Sequence, residues 1–264
     1  MNELTRSGLL LMVGLAIVAA GCDDDDPMPP APALPGTVTL EFVHQVDGVA
    51  LVLDELSYTN AVDQTYSVQV FKYYVSRLEL VQSGAAGAHA LAPAPLADLH
   101  YVEEGIASTR SLTVADVAAG SYDRLRFVFG LNEQDNITDG LAPTLENINM
   151  IWPDPLGGGY HYMKFEGKFF VPGSDTLNYR THVGRTGAVG TGTPHFVAVE
   201  LPTALTVDGN SSTIEIVVNL NEWYTNPNDY TFPVNSEIMA NVAVQDTLEQ
   251  NGATVFTLGT VTQN

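Results

Sequence analysis

The chain has 264 residues and sets 31 acidic side chains against 10 lysines and arginines, a formal net charge of -21. Such a surface repels nucleic acid and anionic headgroups and gathers cations, and no basic cluster offsets it, so nucleic-acid binding is excluded. A single cysteine, Cys22, excludes disulfides and thiolate metal clusters from the body of the protein.

Residues 1–21 read as a lipoprotein signal peptide. Residues 9–20 form an apolar run too short to span a bilayer, and Ala19-Ala20-Gly21-Cys22 follows it. Small residues before a cysteine mark a cleavage that leaves Cys22 to carry acyl chains. The protein is therefore expected in the cell envelope, facing the periplasm or the outside, with the lipid bilayer as a partner through acylated Cys22. Residues 22–36, four aspartates and then a proline-rich run, hold too few large apolar groups to pack and read as an extended tether. Residues 37–264 then form the folded domain.

In residues 37–44, Val38, Leu40 and Phe42 share one strand face, and His44 shares their parity at the strand's end. Asp47-Gly48 makes a turn. Residues 66–81 read as one long strand, with Tyr66, Val68 and Val70 set against Phe71, Tyr73 and Val75. Residues 83–95 are a small-residue surface insertion holding a solvated His89, and 96–102 form a short strand carrying His100. Residues 122–129 alternate well and break at Gly130. Residues 135–146 are a polar loop in which Ile137 stands where an EF-hand would need a ligand oxygen. Strands follow at 160–171, 195–201, 212–220 and 254–258, interrupted by an aromatic, proline-bounded loop at 223–233. One helix is expected over 236–251, capped by Ser236 and stopped by Gly252. Roughly ten short strands with one late helix predict an all-β fold, an antiparallel β-sandwich or barrel-like domain with one short helix near the C-terminus.

The densest stretch is 149–167, NMIWPDPLGGGYHYMKFEG. Gly157, Gly158 and Gly159 reach backbone conformations closed to other residues, and Pro153 and Pro155 stiffen the chain before them. The stretch reads as a rigid turn setting Trp152 and His161 on either side of a pocket mouth, although Trp152 also suits the end of a sandwich core. No serine elbow, phosphate loop or zinc-binding helix motif occurs, and an enzyme is not expected. Six histidines remain in a chain without a usable thiolate, and imidazoles suit copper, zinc or nickel. Three stand beside unusual backbone: His44 at a strand end, His161 after the triple glycine, and His182 before Val183-Gly184. Histidines also serve as packing residues, so the competing expectation is a metal-free surface lipoprotein acting as an interaction module.

Leu40-Glu-Phe-Val-His44-Gln-Val-Asp-Gly48, Tyr73-Tyr74-Val75-Ser76, Phe129-Gly130-Leu131-Asn132, Met150-Ile-Trp152, Lys164-Phe-Glu-Gly167 and His182-Val-Gly184 occur in that order. With Ile238-Met239-Ala240-Asn241 they resemble the MbnP-like family of exported copper-binding proteins, the relatives of MbnP, MopE and CorA. The resemblance implies a β-rich domain holding one copper ion on histidine imidazoles, in copper uptake, storage or delivery. His44 and His182 occupy the family's recurrent histidine positions, and Trp152 its Met-x-Trp position. In relatives a tryptophan near the metal is oxidised to kynurenine by a dihaem protein of the cytochrome c peroxidase type, which this likeness makes the expected partner. His161 is the third metal ligand expected, from its place beside the triple glycine. After the tryptophan, Pro153-Asp154-Pro155 departs from the family pattern.

Overall fold

The computed structural model describes residues 33–82, 93–188 and 191–264. The expected signal peptide, Cys22, the expected tether up to residue 32 and His89 lie outside the described residues. Among the described residues, no helix is long and apolar enough to cross a membrane.

Two sheets pack face to face. The first is centred on β1 (Gly36–Val46), whose alternate residues Val38, Leu40, Phe42, His44 and Val46 are buried, as the period-2 pattern dictates. β1 pairs with the two-residue β2 (Val49–Ala50), with β6 (Ser111–Val117) and with β11 (Ser211–Asn219), and β12 (Phe256–Gln263) pairs with β11. The β1–β11 pair is parallel; the other ladders of both sheets are antiparallel. The second sheet is built on β4 (Thr65–Val81), which pairs with β3 (Tyr58–Thr59), β5 (Ala94–Glu103), β7 (Gly120–Phe129) and β8 (Met163–Phe169). β9 (Leu177–Val183) lies beyond β8, and β10 (Val197–Val207) beyond β7. The architecture is an open sandwich; of the two expected forms, the barrel is not adopted.

The interior is aromatic. Phe42 of the first sheet meets Tyr73 of the second with ring centroids 6.2 Å apart, and Phe71, Phe165, Tyr179 and Tyr224 continue the layer. These rings supply large buried areas and edge-to-face contacts together.

Two local readings are corrected. The parity expected for β4 breaks at a bulge: Val68 faces Gly167 but Val70 faces Glu166, leaving Gln69 as the extra residue. The bulge turns Tyr66, Val68, Phe71, Tyr73 and Val75 all into buried positions, where strict alternation would have divided them. The helix, α2 (Val242–Val255), begins six residues later than expected and is capped by Asn241, whose side chain accepts from the Val244 N–H at 3.3 Å. Gly252 does not end it. A Cβ there would stand 2.6 Å from Val197 Cγ2 and 3.0 Å from Trp223, so the glycine serves close packing of the helix. A shorter helix, α1 (Leu145–Asn149), lies in the connection before the glycine-rich turn.

Register fixes which face of the second sheet carries the chemistry. Tyr73, Met163 and Val183 are cross-strand neighbours and wholly buried in the sandwich. Lys72, Lys164 and His182, one position along, therefore point to the opposite, outer face. There the connection through α1 closes over them: Lys164 Nζ donates to the Asn149 carbonyl.

Candidate metal centre

Residues 150–161 form a small hairpin on this outer face. Ile151 bridges Tyr160, the Trp152 N–H donates to the Gly159 carbonyl at 2.9 Å, and the His161 N–H donates to the Met150 carbonyl at 2.6 Å. A short 3-10 turn (Asp154–Leu156), with Pro155 in its first turn, and the three glycines close it. Gly157, Gly158 and Gly159 have φ of 119°, 66° and 81°, the left-handed region, which explains why the sequence needs three in a row. At Gly159 a Cβ would also strike Asn136, whose Oδ1 accepts from the Tyr160 N–H at 2.8 Å and so clamps the turn from the preceding loop.

The hairpin delivers His161 against His182. Their ring centroids are 5.0 Å apart at 83°, and both residues are buried. Each imidazole is held at one nitrogen only. His161 Nδ1 stands 3.1 Å from the Met150 carbonyl, which accepts and so fixes the proton on Nδ1. His182 Nε2 stands 2.7 Å from Glu166 Oε1, so its proton sits on Nε2. The remaining nitrogens, His161 Nε2 and His182 Nδ1, are buried and have no hydrogen-bond partner among the described residues. Burial, with Lys164 and His182 nearby, pushes the His161 pKa down to about 2, so this imidazole is neutral. The hydrogen bond from His182 holds the Glu166 carboxyl below its ordinary range.

Trp152 lies against the pair. Its ring centroid is 4.7 Å from that of His161, edge on at 76°, and its indole N–H donates to the Leu156 carbonyl at 3.0 Å. The ring is wholly buried, so Trp152 and His161 touch each other instead of flanking an opening. Gly184 makes room for it: a Cβ there would lie 2.7–2.8 Å from three indole carbons. From α2, Gln245 grips the same strand end. Its Nε2 donates to the His182 carbonyl at 2.7 Å, and its Oε1 accepts from the Gly184 N–H at 3.2 Å.

The structure thus brings His161, His182 and Trp152 together, and sets His44 apart as a correction to the expected trio. His44 points between the sheets, where Nε2 meets the Tyr73 hydroxyl at 2.9 Å and Nδ1 meets Glu104 at 2.6 Å. Tyr73 is on the inner face and His182 on the outer, so the second sheet separates the two histidines. The reason is visible in the strand pattern: odd spacing along β9 places His182 opposite Val183, whereas His44 follows the core parity of β1. Glu166 and Gln245 were missed by sequence reasoning. Glu166 was legible as a same-face neighbour two residues from Lys164 on β8; nothing in the sequence signals Gln245, which reaches the site from a distant helix.

The residues fit a copper ion on one observation of this structure: two buried imidazoles each leave one ring nitrogen without a hydrogen-bond partner among the described residues, and each is oriented by a hydrogen bond at its other nitrogen. That is the arrangement of metal-ligating histidines, in which a carbonyl or carboxylate fixes the tautomer. Imidazole nitrogens suit copper as they suit zinc, iron and nickel, and two of them without carboxylate ligands offer a low-coordinate site.

Comparison with known proteins agrees on the architecture. MbnP from Methylosinus trichosporium has a similar fold, with a TM-score of 0.54 and 16% identity over 86% of this chain and 98% of that one. No match was found among curated proteins. The MbnP family model matches residues 35–241, a span that holds the whole hairpin, His182 and Gly184. The chain belongs to the MbnP family.

Proposed function

We propose that the protein is an extracytoplasmic copper-binding lipoprotein, acting in copper uptake, storage or delivery and not in catalysis. His161 Nε2 and His182 Nδ1 are the ligands of a single copper ion, with Trp152 beside it. One observation carries the reading: two buried acceptor nitrogens on touching rings are left without partners. An unsatisfied buried polar group costs about 1–3 kcal/mol, so two kept side by side are best explained by an ion that pairs with both. Family membership supports the same assignment. His44 is not in this ligand set, because both its nitrogens are already engaged.

Trp152 is the residue assigned to oxidation to kynurenine by a dihaem partner of the cytochrome c peroxidase type. Its ring is fully buried, so the partner would withdraw electrons at a distance instead of touching the indole. Cys22 anchors the chain in the membrane through its acyl chains.

The test is copper content and Cu(I) competition titration on protein isolated from its native host. One equivalent in the wild type, lost in His161→Ala with His182→Ala, is the expected result. No copper, or copper retained by that double variant, overturns the assignment. Intact mass on the same samples reads Trp152 oxidation, and radiolabelled fatty acid incorporation, lost in Cys22→Ala, reads the anchor.

A further inference from the structure

A second cluster of ligating side chains stands away from the histidine pair. His195, wholly buried just before β10, directs Nδ1 at two carboxylates of α2: Glu249 Oε2 at 3.2 Å and Asp246 Oδ1 at 3.4 Å. Asp246 and Glu249 are three apart on the helix and so share a face. Their side chains are 48% and 42% exposed, so the cluster opens to solvent while its imidazole does not. Among the described residues, neither carboxylate has a lysine or arginine partner; each pairs only with His195.

The distances are the informative part. Where an imidazole of this protein faces one carboxylate, the contact is short: 2.6 Å at His44 and 2.7 Å at His182. At His195 one Nδ1 proton serves two carboxylates, and both contacts lie beyond the ~2.7–2.9 Å of a charge-assisted bond. Those separations match something else. Ligand atoms held ~2.0–2.2 Å from a divalent ion in tetrahedral or octahedral geometry stand roughly 3.0–3.5 Å from one another. The three ligand atoms all lie within 4.8 Å of each other. Nε2, 2.8 Å from Thr186 Oγ1, completes the arrangement. The hydroxyl can donate to Nε2 when the proton is on Nδ1, and accept from Nε2–H when Nδ1 ligates an ion.

We propose that His195 Nδ1, Asp246 and Glu249 form a second metal site, for a borderline divalent cation of the zinc class, in which the ion replaces the single proton shared by the two carboxylates. One nitrogen and two hard oxygens disfavour Cu(I), so the site and the histidine pair select different ions. The two carboxylates and the bound water that their exposure admits fill the remaining positions. The ion cross-links α2 to the segment of Thr186 and His195. The same helix holds the His182 carbonyl through Gln245, next in sequence to Asp246, so the ion braces the strand end that carries His182. The site itself stands independently of the copper assignment.

Zinc titration of the chelator-stripped full-length protein tests it, by competition with a chromophoric chelator and by the thermal midpoint at increasing zinc. Asp246→Asn and Glu249→Gln are each expected to weaken one zinc equivalent by at least about tenfold, since even the loss of an outer partner costs 10–100-fold. They should also abolish the zinc-dependent rise of the midpoint while leaving copper loading unchanged. His161→Ala with His182→Ala should retain that equivalent. Zinc binding that is unaffected by both carboxylate variants, or that disappears with the histidine pair, overturns the proposal. So does failure of the wild type to bind zinc. Failure of the wild type to bind copper, with zinc binding retained, would overturn the copper assignment alone.

Discussion

His44 and His182 are both buried histidines, both lie near the end of a strand, and both press an imidazole nitrogen on a carboxylate at 2.6–2.7 Å. They differ at the other nitrogen. That of His44 is taken by the Tyr73 hydroxyl, and that of His182 by nothing among the described residues. The first is a closed Glu–His–Tyr chain lodged between two sheets, where each polar group finds its partner and the ring packs against Phe71. The second is the same carboxylate–imidazole unit with its other ring nitrogen left over, its ring against a second imidazole in the same condition. Burial, residue type and a carboxylate neighbour do not distinguish a structural histidine from a ligand. The count of unfilled lone pairs does.

Exchanging each histidine for alanine breaks the comparison most sharply. His161→Ala with His182→Ala should abolish stoichiometric copper binding, because it removes the two buried ring nitrogens that have no partner among the described residues. His44→Ala should leave copper affinity within a few-fold and instead lower unfolding stability by about 1.5–3 kcal/mol, the worth of a hydrogen bond to a charged group. Copper competition and urea unfolding on the two proteins separate the outcomes. Equal loss of copper in both would return His44 to the ligand set.

A smaller effect comes from the partner that orients His182. Glu166→Gln removes the charge that holds the proton on Nε2, and should weaken copper by about 10–100-fold with the ligands themselves intact. Gly184→Ala acts through packing. A methyl less than 3 Å from three indole carbons must displace Trp152 or the strand, at about 1–3 kcal/mol in stability. A shift of Trp152 fluorescence in that variant, with the secondary structure unchanged, would mark the indole as the group that moved; Trp152→Phe restoring stability to Gly184→Ala would fix the cause.

Much of this was legible in the chain. Alternation placed Val38, Leu40, Phe42 and His44 on one buried face, and the triple glycine announced a left-handed turn beside Trp152. What failed was whatever depended on partners far away in sequence. The β4 bulge has no residue signature, since Gln69 is an ordinary strand residue until its neighbour Glu166 skips a place. Gly252 looked like a helix stop because a glycine that ends a helix and one that admits Trp223 are the same letter. His44 joined the expected ligands through the family pattern, and local parity along β1 does not say which side of the second sheet it meets. The pairing of His161 with His182 required the hairpin and β9 to be in register, which only the folded sheet decides.

The gentlest probe of the comparison is pH. Burial lowers the His161 pKa to about 2 from an ordinary 6.5, so between those values the unfolded chain binds a proton that the folded protein does not. Stability then rises with pH across that window, and acidification below about 6.5 removes it at up to about 1.4 kcal/mol per pH unit from this group alone. Glu166 adds to the same trend: its lowered carboxyl gives stability that is present above the ordinary carboxylate range and is lost as acid reaches it. Between pH 7 and pH 5, where carboxylates contribute little, His161 should account for about 2 kcal/mol of lost stability. His161→Gln should therefore flatten that limb in metal-free protein, whatever its stability at neutral pH. The slope, read from urea midpoints at the two pH values, is insensitive to packing lost in the variant. An unchanged slope would mean that His161 is protonated as easily in the fold as out of it. The lone pair at Nε2 would then be contested by protons, and the feature that distinguishes this imidazole from His44 would be gone.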